Sequence, residues 1–266
     1  RRRVMEPFSR DYFRGETPNP CIECNRYLKF GALLQEAENR GIPYLATGHY
    51  VRKGYDEATG RYYLYKAADE SKDQSYVLYS LTQDQLAHTL MPLGAYTKPE
   101  ARRMAEEAGL RVAHKPDSQE ICFVEDNDYA GFLERYTGKK APEGDFVDAE
   151  GHVLGRHRGI THYTIGQRKG LGVSFGRPMY VTKIDAVLNR VTLGEEGSQY
   201  ASSLLADDLN FIPFDTLDKP LQVHAKVRYQ ARPAEAVLTP VEHGRVRVDF
   251  AEAQRSITPG QAVVFY

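Results

Sequence analysis

At 266 residues, with 41% hydrophobic and 27% charged side chains, the chain is long enough for one large domain or two to three small ones and has an ordinary globular composition. No apolar run approaches the roughly 20 residues that span a bilayer, and no apolar stretch follows Arg1-Arg2-Arg3-Val4, so there is no signal peptide at this start and the chain reads as cytoplasmic, with no membrane partner. The net charge of −1 announces no nucleic-acid partner, although between Lys139 and Arg190 nine Lys/Arg stand against five Asp/Glu, either a nucleic-acid footprint or a solvated face.

In chain order, Lys29 to Arg40 places Phe30, Leu33, Leu34 and Ala37 at helical spacing, and Gly41 is a natural stop. Ile42 to Thr47 reads as a short buried strand ending at Gly48-His49. Tyr62 to Tyr65 reads as a second strand, in a hairpin with residues around Tyr50 to Arg52. Thr82-Gln83-Asp84-Gln85 and Thr97-Lys98-Pro99-Glu100 both fit the capping box and each opens a helix, the second running to Gly109. This alternation predicts a parallel sheet flanked by helices. Near Gly138 the style changes. Val181–Ile184, Arg190–Leu193, Val223–Val227, Ala236–Leu238 and Arg245–Phe250 read as strands separated by turn residues, the spacing of small barrels or sandwiches. Domain boundaries fall near 138 and, more softly, near 203.

Three cysteines, an odd number, argue against a disulfide-stapled secreted fold. Cys21 and Cys24 stand in Thr17-Pro18-Asn19-Pro20-Cys21-Ile22-Glu23-Cys24-Asn25. The two prolines forbid helix up to Pro20, so a loop presents the thiols just ahead of the helix expected from Lys29, where a helix N-terminus favours thiolate. Structural zinc wants four ligands, and a second C-x-x-C is missing. Cys122 lies in Ile-Cys-Phe-Val, which reads as the start of a buried element where a lone Cys is more often core. Its neighbours Asp117, Ser118, Gln119 and Glu120 suit a substrate-facing loop instead.

Five segments occur in a fixed order: Thr-Pro-Asn-Pro-x-x-x-Cys-Asn, Ala-Thr-Gly-His-Tyr, Lys-Asp-Gln-Ser-Tyr, Lys-Pro-Asp-Ser-Gln-Glu-Ile-Cys-Phe and His-Tyr-Thr-Ile-Gly-Gln-Arg-Lys-Gly-Leu-Gly. Together they resemble the bacterial tRNA-specific 2-thiouridylase family over essentially the whole chain. The resemblance implies an α/β fold. Residues 1–138 would be the remainder of a PP-loop ATP-pyrophosphatase (adenine nucleotide α-hydrolase-like) parallel-sheet domain, 139–203 a small central tRNA-contacting domain and 204–266 a C-terminal β-barrel. It implies that ATP, with Mg²⁺, adenylates O2 of uridine 34 in tRNAs for Lys, Glu and Gln, and that sulfur then displaces AMP at C2.

Residue by residue, the resemblance makes Cys122 the cysteine that receives sulfur as a persulfide and Cys24 the partner that attacks it, leaving a Cys24–Cys122 disulfide. A cysteine desulfurase or a sulfur-relay protein would be the donor. Gly48 matches an ATP contact. Asn19, Pro20 and Cys21 match the loop that touches the target base, and His49, Lys72, Asp73, Gln74, Arg228, Tyr229 and Gln261 match tRNA contacts. Gln167-Arg168-Lys169 is either a phosphate contact or a structural turn.

Two departures stand out. The family's Ser-Gly-Gly-x-Asp-Ser phosphate loop is absent and is expected before Arg1, so residues 1–266 by themselves should bind ATP poorly. Many members carry Asp where this chain has Cys21, and Cys21, Cys24 and Cys122 could instead be the thiolate ligands of a [4Fe-4S] cluster with one open iron. Persulfide relay and cluster both stay open, as do two further readings, a catalytically inactive tRNA-binding module and a structural zinc protein.

Overall fold

The computed structural model describes residues 2–115, 121–124 and 127–266. The chain divides into two compact units. One combines Cys21–Gln119 with Asp208–Asp218, and the other combines Arg1–Pro20, Glu120–Asp207 and Lys219–Tyr266.

The first unit opens with one continuous helical run: α2 (Pro20–Glu23), a π-helical stretch (Cys24–Leu33) and α3 (Leu34–Asn39). The helix thus begins nine residues before the expected Lys29, and the cysteines lie on it rather than in a loop ahead of it. Pro20 is the reason. Its fixed φ suits the first helical position, where the missing N–H would be unbonded anyway, so it starts the helix it was expected to forbid. The buried positions are Pro20, Ile22, Asn25, Phe30 and Leu34. The five-residue step from Asn25 to Phe30 is one a π turn accommodates and an α-helix does not. This shift also explains why Leu33, expected on the buried face, is 51% exposed.

After the helix, β1 (Leu45–Ala46) pairs in parallel with β4 (Thr89–Leu90). The strand is shorter than Ile42–Thr47 and is not buried as expected: Ile42 and Tyr44 are about half exposed. The hairpin of β2 (Arg52–Asp56) and β3 (Arg61–Tyr65) lies slightly later than its first strand was read. Both capping boxes form as expected, at Thr82 on α4 (Gln83–Ala87) and Thr97 on α5 (Lys98–Glu107).

A strap of eleven residues, Asp208–Asp218, closes this unit. Asn210 Nδ2 donates to the carbonyls of Tyr79 (2.6 Å) and Leu81 (3.1 Å), and the Ile212 carbonyl accepts from Arg61 Nε and Gln83 Nε2. Arg26, on the cysteine helix, pairs with Asp208 at 2.6 Å.

In the second unit α1 (Met5–Phe13) packs Phe8 and Tyr12 against Val124, Phe132 and Leu133, the last two on α6 (Tyr129–Thr137). A four-stranded sheet runs in the order β6 (Val153–His157), β5 (Gly144–Val147), β8 (Arg190–Gly194), β7 (Tyr180–Asp185), with β5 and β8 parallel. Phe146, Val181, Val191 and Leu193 form its core. A five-stranded antiparallel sheet has the order β13 (Val264–Phe265), β10 (Leu221–Lys226), β11 (Ala234–Val241), β12 (Arg245–Arg255), β9 (Tyr200–Ala206). Position 203 thus lies inside β9. Strands β7, β8, β10, β11 and β12 agree with their alternation in sequence, whereas α1, α6, β5, β6, β9 and β13 were not read from it. Among the described residues no helix is long and apolar enough to cross a membrane.

Replacing Asn210 by Ala removes the donor shared by two carbonyls and should destabilise the first unit by about 1–3 kcal/mol. The chain has no Trp, so the check is a urea titration followed by tyrosine fluorescence. An unshifted midpoint would show that the strap contributes nothing.

Candidate active site

The helical run places Cys21 and Cys24 one turn apart in its first five residues, where unbonded backbone N–H groups give the helix its positive end. Cys21 is exposed, Cys24 is half-buried, and none of the three cysteines is in a disulfide. Asn25, 1% exposed, follows Cys24 directly, and its Nδ2 donates to the Val77 carbonyl at 3.0 Å. That bond ties the cysteine helix to the 3₁₀ turn Ser75–Leu78, immediately after Lys72, Asp73 and Gln74.

Asp73 and Gln74 are not plain solvated surface. Asp73 Oδ1 accepts from Ala67 N (2.9 Å) and its Oδ2 accepts from Ser75 Oγ (2.5 Å). Gln74 Oε1 accepts from Tyr50 N and Gln74 N donates to Tyr50 O, both at 2.9 Å. These two bonds hold the Lys72–Gln74 segment beside Gly48-His49. Gly48 itself is exposed just past β1, and an added Cβ would meet only Leu93 Cδ1, at 3.7 Å. The backbone there is open to a ligand.

His49 is 8% exposed, with its ring 5.7 Å from that of Phe30 and its Nδ1 3.0 Å from Thr47 Oγ1. Burial, with Lys29 nearby, lowers its pKa from 6.5 to about 4, so the ring is neutral at pH 7. In the first unit the cysteine helix, Gly48-His49 and the segment Lys72–Gln74 are linked by the Asn25–Val77 bond, the Phe30–His49 ring contact and the Gln74–Tyr50 bonds. Asn25, which makes the first of these links, was not singled out from sequence. The only available signal for Asn25 was its place beside Cys24 in the quoted motif.

The remaining candidates lie in the second unit. Cys122 is exposed, on a turn in which Val124 N donates to Ile121 O at 2.9 Å. The buried element expected there begins only at Val124, because it is Val124, with part of Ile121 and Phe123, that packs on Phe8. Asp117 to Glu120 lie outside the described residues. Gln167 is structural: its Oε1 accepts from Thr164 N and its Nε2 donates to Lys169 O, both at 3.0 Å. The turn so formed leaves Arg168 and Lys169 exposed.

Arg228 donates to the Ser256 carbonyl, and Lys226 Nζ sits 5.9 Å from the centre of the Tyr229 ring. Beside them is a cleft of about 800 Å³ whose lining includes His224, Arg228, Arg232 and Arg255 together with the carboxylates Glu235 and Glu252. Asn19 and Pro20 end the loop that enters the cysteine helix, and Gln261 Nε2 donates to the Thr17 carbonyl at the start of that loop. Among the described residues two carboxylate–histidine groups, Glu38-Asp84-His88 and Asp148-Glu150-His152, lie at the surface and include no cysteine.

Because the folded-state pKa of His49 is depressed, its stabilising effect is complete above the unfolded value of 6.5 and is lost as pH falls toward about 4. Urea stability of the wild type should decline across that window, and His49→Gln should flatten the decline. An identical pH dependence in both would show that His49 is not buried neutral.

Three family models match in order: a tRNA methyl transferase HUP domain over residues 1–126, a tRNA methyl transferase PRC-barrel domain over 130–195 and an aminomethyltransferase beta-barrel domain over 201–266. The α/β fold with two following β domains agrees with these descriptions. The tRNA-specific 2-thiouridylase MnmA of Acetivibrio thermocellus is 55% identical over 263 residues, covering 99% of this chain and 73% of that protein. That of Heliobacterium modesticaldum is 56% identical over 265 residues, covering 99% and 69%. With identity at this level along nearly the full chain, from the helix-start cysteines through the final β-sheet, the chain belongs to the tRNA-specific 2-thiouridylase family.

Proposed function

We propose that this protein is a tRNA-uridine 2-sulfurtransferase that places sulfur at C2 of the wobble uridine in tRNAs for Lys, Glu and Gln. The observation that carries the reading is the match of more than half the residues, over almost the full chain, to relatives named for that activity. The geometry supports it with a thiol at a helix start, held by Asn25 beside the segments that contain Gly48 and His49 and Lys72 to Gln74. The family models named for methyl transfer fit less well with a pair of cysteines one helical turn apart. The division into 1–138, 139–203 and 204–266 and a cytoplasmic location go with this proposal.

ATP, with Mg²⁺, supplies the adenylyl group that turns O2 of the uridine into a leaving group, and the open backbone at Gly48 suits an approach of the nucleotide. The chain's own part is sulfur delivery. A cysteine desulfurase or relay protein loads Cys122 as a persulfide. The Cys24 thiolate attacks Cys122 Sγ, the persulfide S–S bond breaks, and hydrosulfide leaves to attack C2 as AMP departs. The Cys24–Cys122 disulfide that results requires a two-electron thiol reductant before the next turnover. Asn19, Pro20 and Cys21 receive the base, which must leave its stack to be modified.

Cys21 favours a second reading. Its place one helical turn from Cys24 suits two ligands of one centre, with Cys122 the third, and a [4Fe-4S] cluster so held would supply sulfide at its open iron.

RNA binding falls to cations in the second unit: Arg168 and Lys169 on the turn locked by Gln167, and Arg228, Arg232 and Arg255 around the cleft. Tyr229, 38% exposed, offers a stacking face. In the first unit His49, Lys72, Asp73 and Gln74 contribute, the last two by holding the surface in shape.

Cys24→Ala and Cys122→Ala should each abolish 2-thiouridine while tRNA affinity stays within about twofold, since neither thiol neutralises phosphate. Normal thiolation in either variant removes that cysteine from the mechanism. Iron and acid-labile sulfide measured in anaerobically purified protein decide the sulfur source. About four of each per chain supports the cluster, whereas metal-free protein that still thiolates supports the persulfide relay. Arg255→Ala should weaken tRNA binding and lower the salt slope of log K by roughly one. An unchanged slope places Arg255 away from the RNA.

A further inference from the structure

We propose that the outer face of the β2–β3 hairpin, which carries Arg52, Tyr63 and Tyr65, is a stacking platform for an unpaired base of the tRNA. The proposal rests on the tRNA reading above, and it concerns contacts within the first unit alone.

The register of the hairpin sorts its side chains. Arg52 stands opposite Tyr65, Gly54 opposite Tyr63 and Asp56 opposite Arg61, so these residues share one face. The other face holds Lys53, Tyr55, Tyr62 and Leu64. It is tied to α4 and β4, where Lys53 Nζ donates to the carbonyls of Leu86 and Thr89, both at 2.7 Å. On the first face the far end is committed. Arg61 bonds the Ile212 carbonyl and the Asp215 carboxylate of the strap, and Asp56 accepts from Ala58 N and Thr59 Oγ1 of its own turn. Toward the near end Tyr65 is 50% exposed and Arg52 is exposed.

Gly54 lets the rings lie on the sheet. A Cβ there would stand 2.8 Å from Tyr65 Cε2, so the Tyr65 ring reaches across bare backbone. Tyr63 and Tyr65, two residues apart on one strand, hold their rings 25° from parallel with centres 6.4 Å apart. The result is a short row of similarly oriented rings beside a guanidinium. Sheet-based RNA domains use the same combination, aromatic rings to stack bases and cations to meet the backbone.

The occupant follows from what the platform adjoins. Both ends of the hairpin are bonded to the Lys72–Gln74 segment, which the functional reading assigns to tRNA. Ahead of β2, Tyr50 exchanges two bonds with Gln74, both at 2.9 Å. Beyond β3, Ala67 N donates to Asp73 Oδ1 at 2.9 Å, and Arg52 Nε donates to the Lys66 carbonyl at 2.8 Å. Arg52 and Tyr65 are the cross-strand pair nearest these bonds. The platform is therefore continuous with the surface that meets RNA, and it extends that surface with stacking, which every base can supply.

The test uses the full-length protein and compares wild type with three variants. Tyr65→Leu still covers Gly54 but has no flat ring, Tyr65→Phe keeps the ring, and Arg52→Gln removes the charge. tRNA affinity is measured against salt concentration, with the urea stability and oligomeric state of each free protein alongside. Tyr65→Leu should bind tRNA about fivefold or more weakly at an unchanged salt slope, since a lost stack releases no counterion. Tyr65→Phe should stay within about twofold of wild type, and Arg52→Gln should lower the slope of log K by roughly one. Equal tRNA affinity in Tyr65→Leu and wild type overturns the platform, and a fall in stability alone would mean that the ring only covers Gly54. A dimer that Tyr65→Leu abolishes, with tRNA affinity intact, overturns it by giving the face to a second copy. Wild type that binds tRNA without thiolating it counts against the functional reading, and the affinity comparison still decides the platform. Wild type that binds no tRNA overturns both.

Discussion

The bond from Asn25 Nδ2 to the Val77 carbonyl is the contact on which the arrangement of the first unit turns. Asn25 is 1% exposed, so its amide nitrogen has been taken from water and finds its partner within the protein, in the Val77 carbonyl. That bond fixes the rotation of the cysteine helix about its own axis. With Asn25 turned inward, Cys24 is left half-buried and Cys21 exposed. The same rotation would carry Phe30 off the core in an α-helix, and the π-helical stretch Cys24–Leu33 restores it, at the cost of a rare hydrogen-bond pattern. Phe30 then lies with its ring tilted against that of His49, so the unusual helix and the buried histidine are parts of one packing solution.

From Val77 the constraint passes along the chain to Gln74, which pairs with Tyr50, and to Asp73, which organises the turn through Ala67 and Ser75. Polar residues that could have been solvated are therefore spent on holding backbone. The strap from Asp208 to Asp218 works in the same way, with Asn210, Arg61 and Gln83 bonding carbonyls, and Arg61 also pairing with the Asp215 carboxylate. In the second unit Gln167 and Gln261 repeat the device, each using its amide to lock a turn. A long amide side chain suits this task, since it offers both donor and acceptor without the desolvation cost of a charge.

Much of the local structure could be read directly from residue pattern. The two capping boxes, the β2–β3 hairpin and the strands β7, β8, β10, β11 and β12 all rest on interactions between residues near in sequence, or on an alternation that the sheet face imposes. The elements misread or missed have a common cause. The helix start at Pro20 was concealed by a residue that breaks helices elsewhere and begins them at one position. The apolar spacing from Lys29 assumed an α-helix, and one π insertion moved Leu33 to the surface. Helices α1 and α6 were not read at all, and their burial comes from each other and from Val124.

For the site, the motif order by itself determined the family and which residues are candidates, because those depend on residue identity alone. Tertiary structure decided the rest. It showed that Asp73, Gln74 and Gln167 hold backbone, that His49 is buried and neutral, that Cys122 is exposed while Val124 is core, and that Gln261 reaches Thr17 across 244 positions. The physical reason is that a side chain's role depends on what it is desolvated against and bonded to, and those partners are supplied by segments distant in sequence.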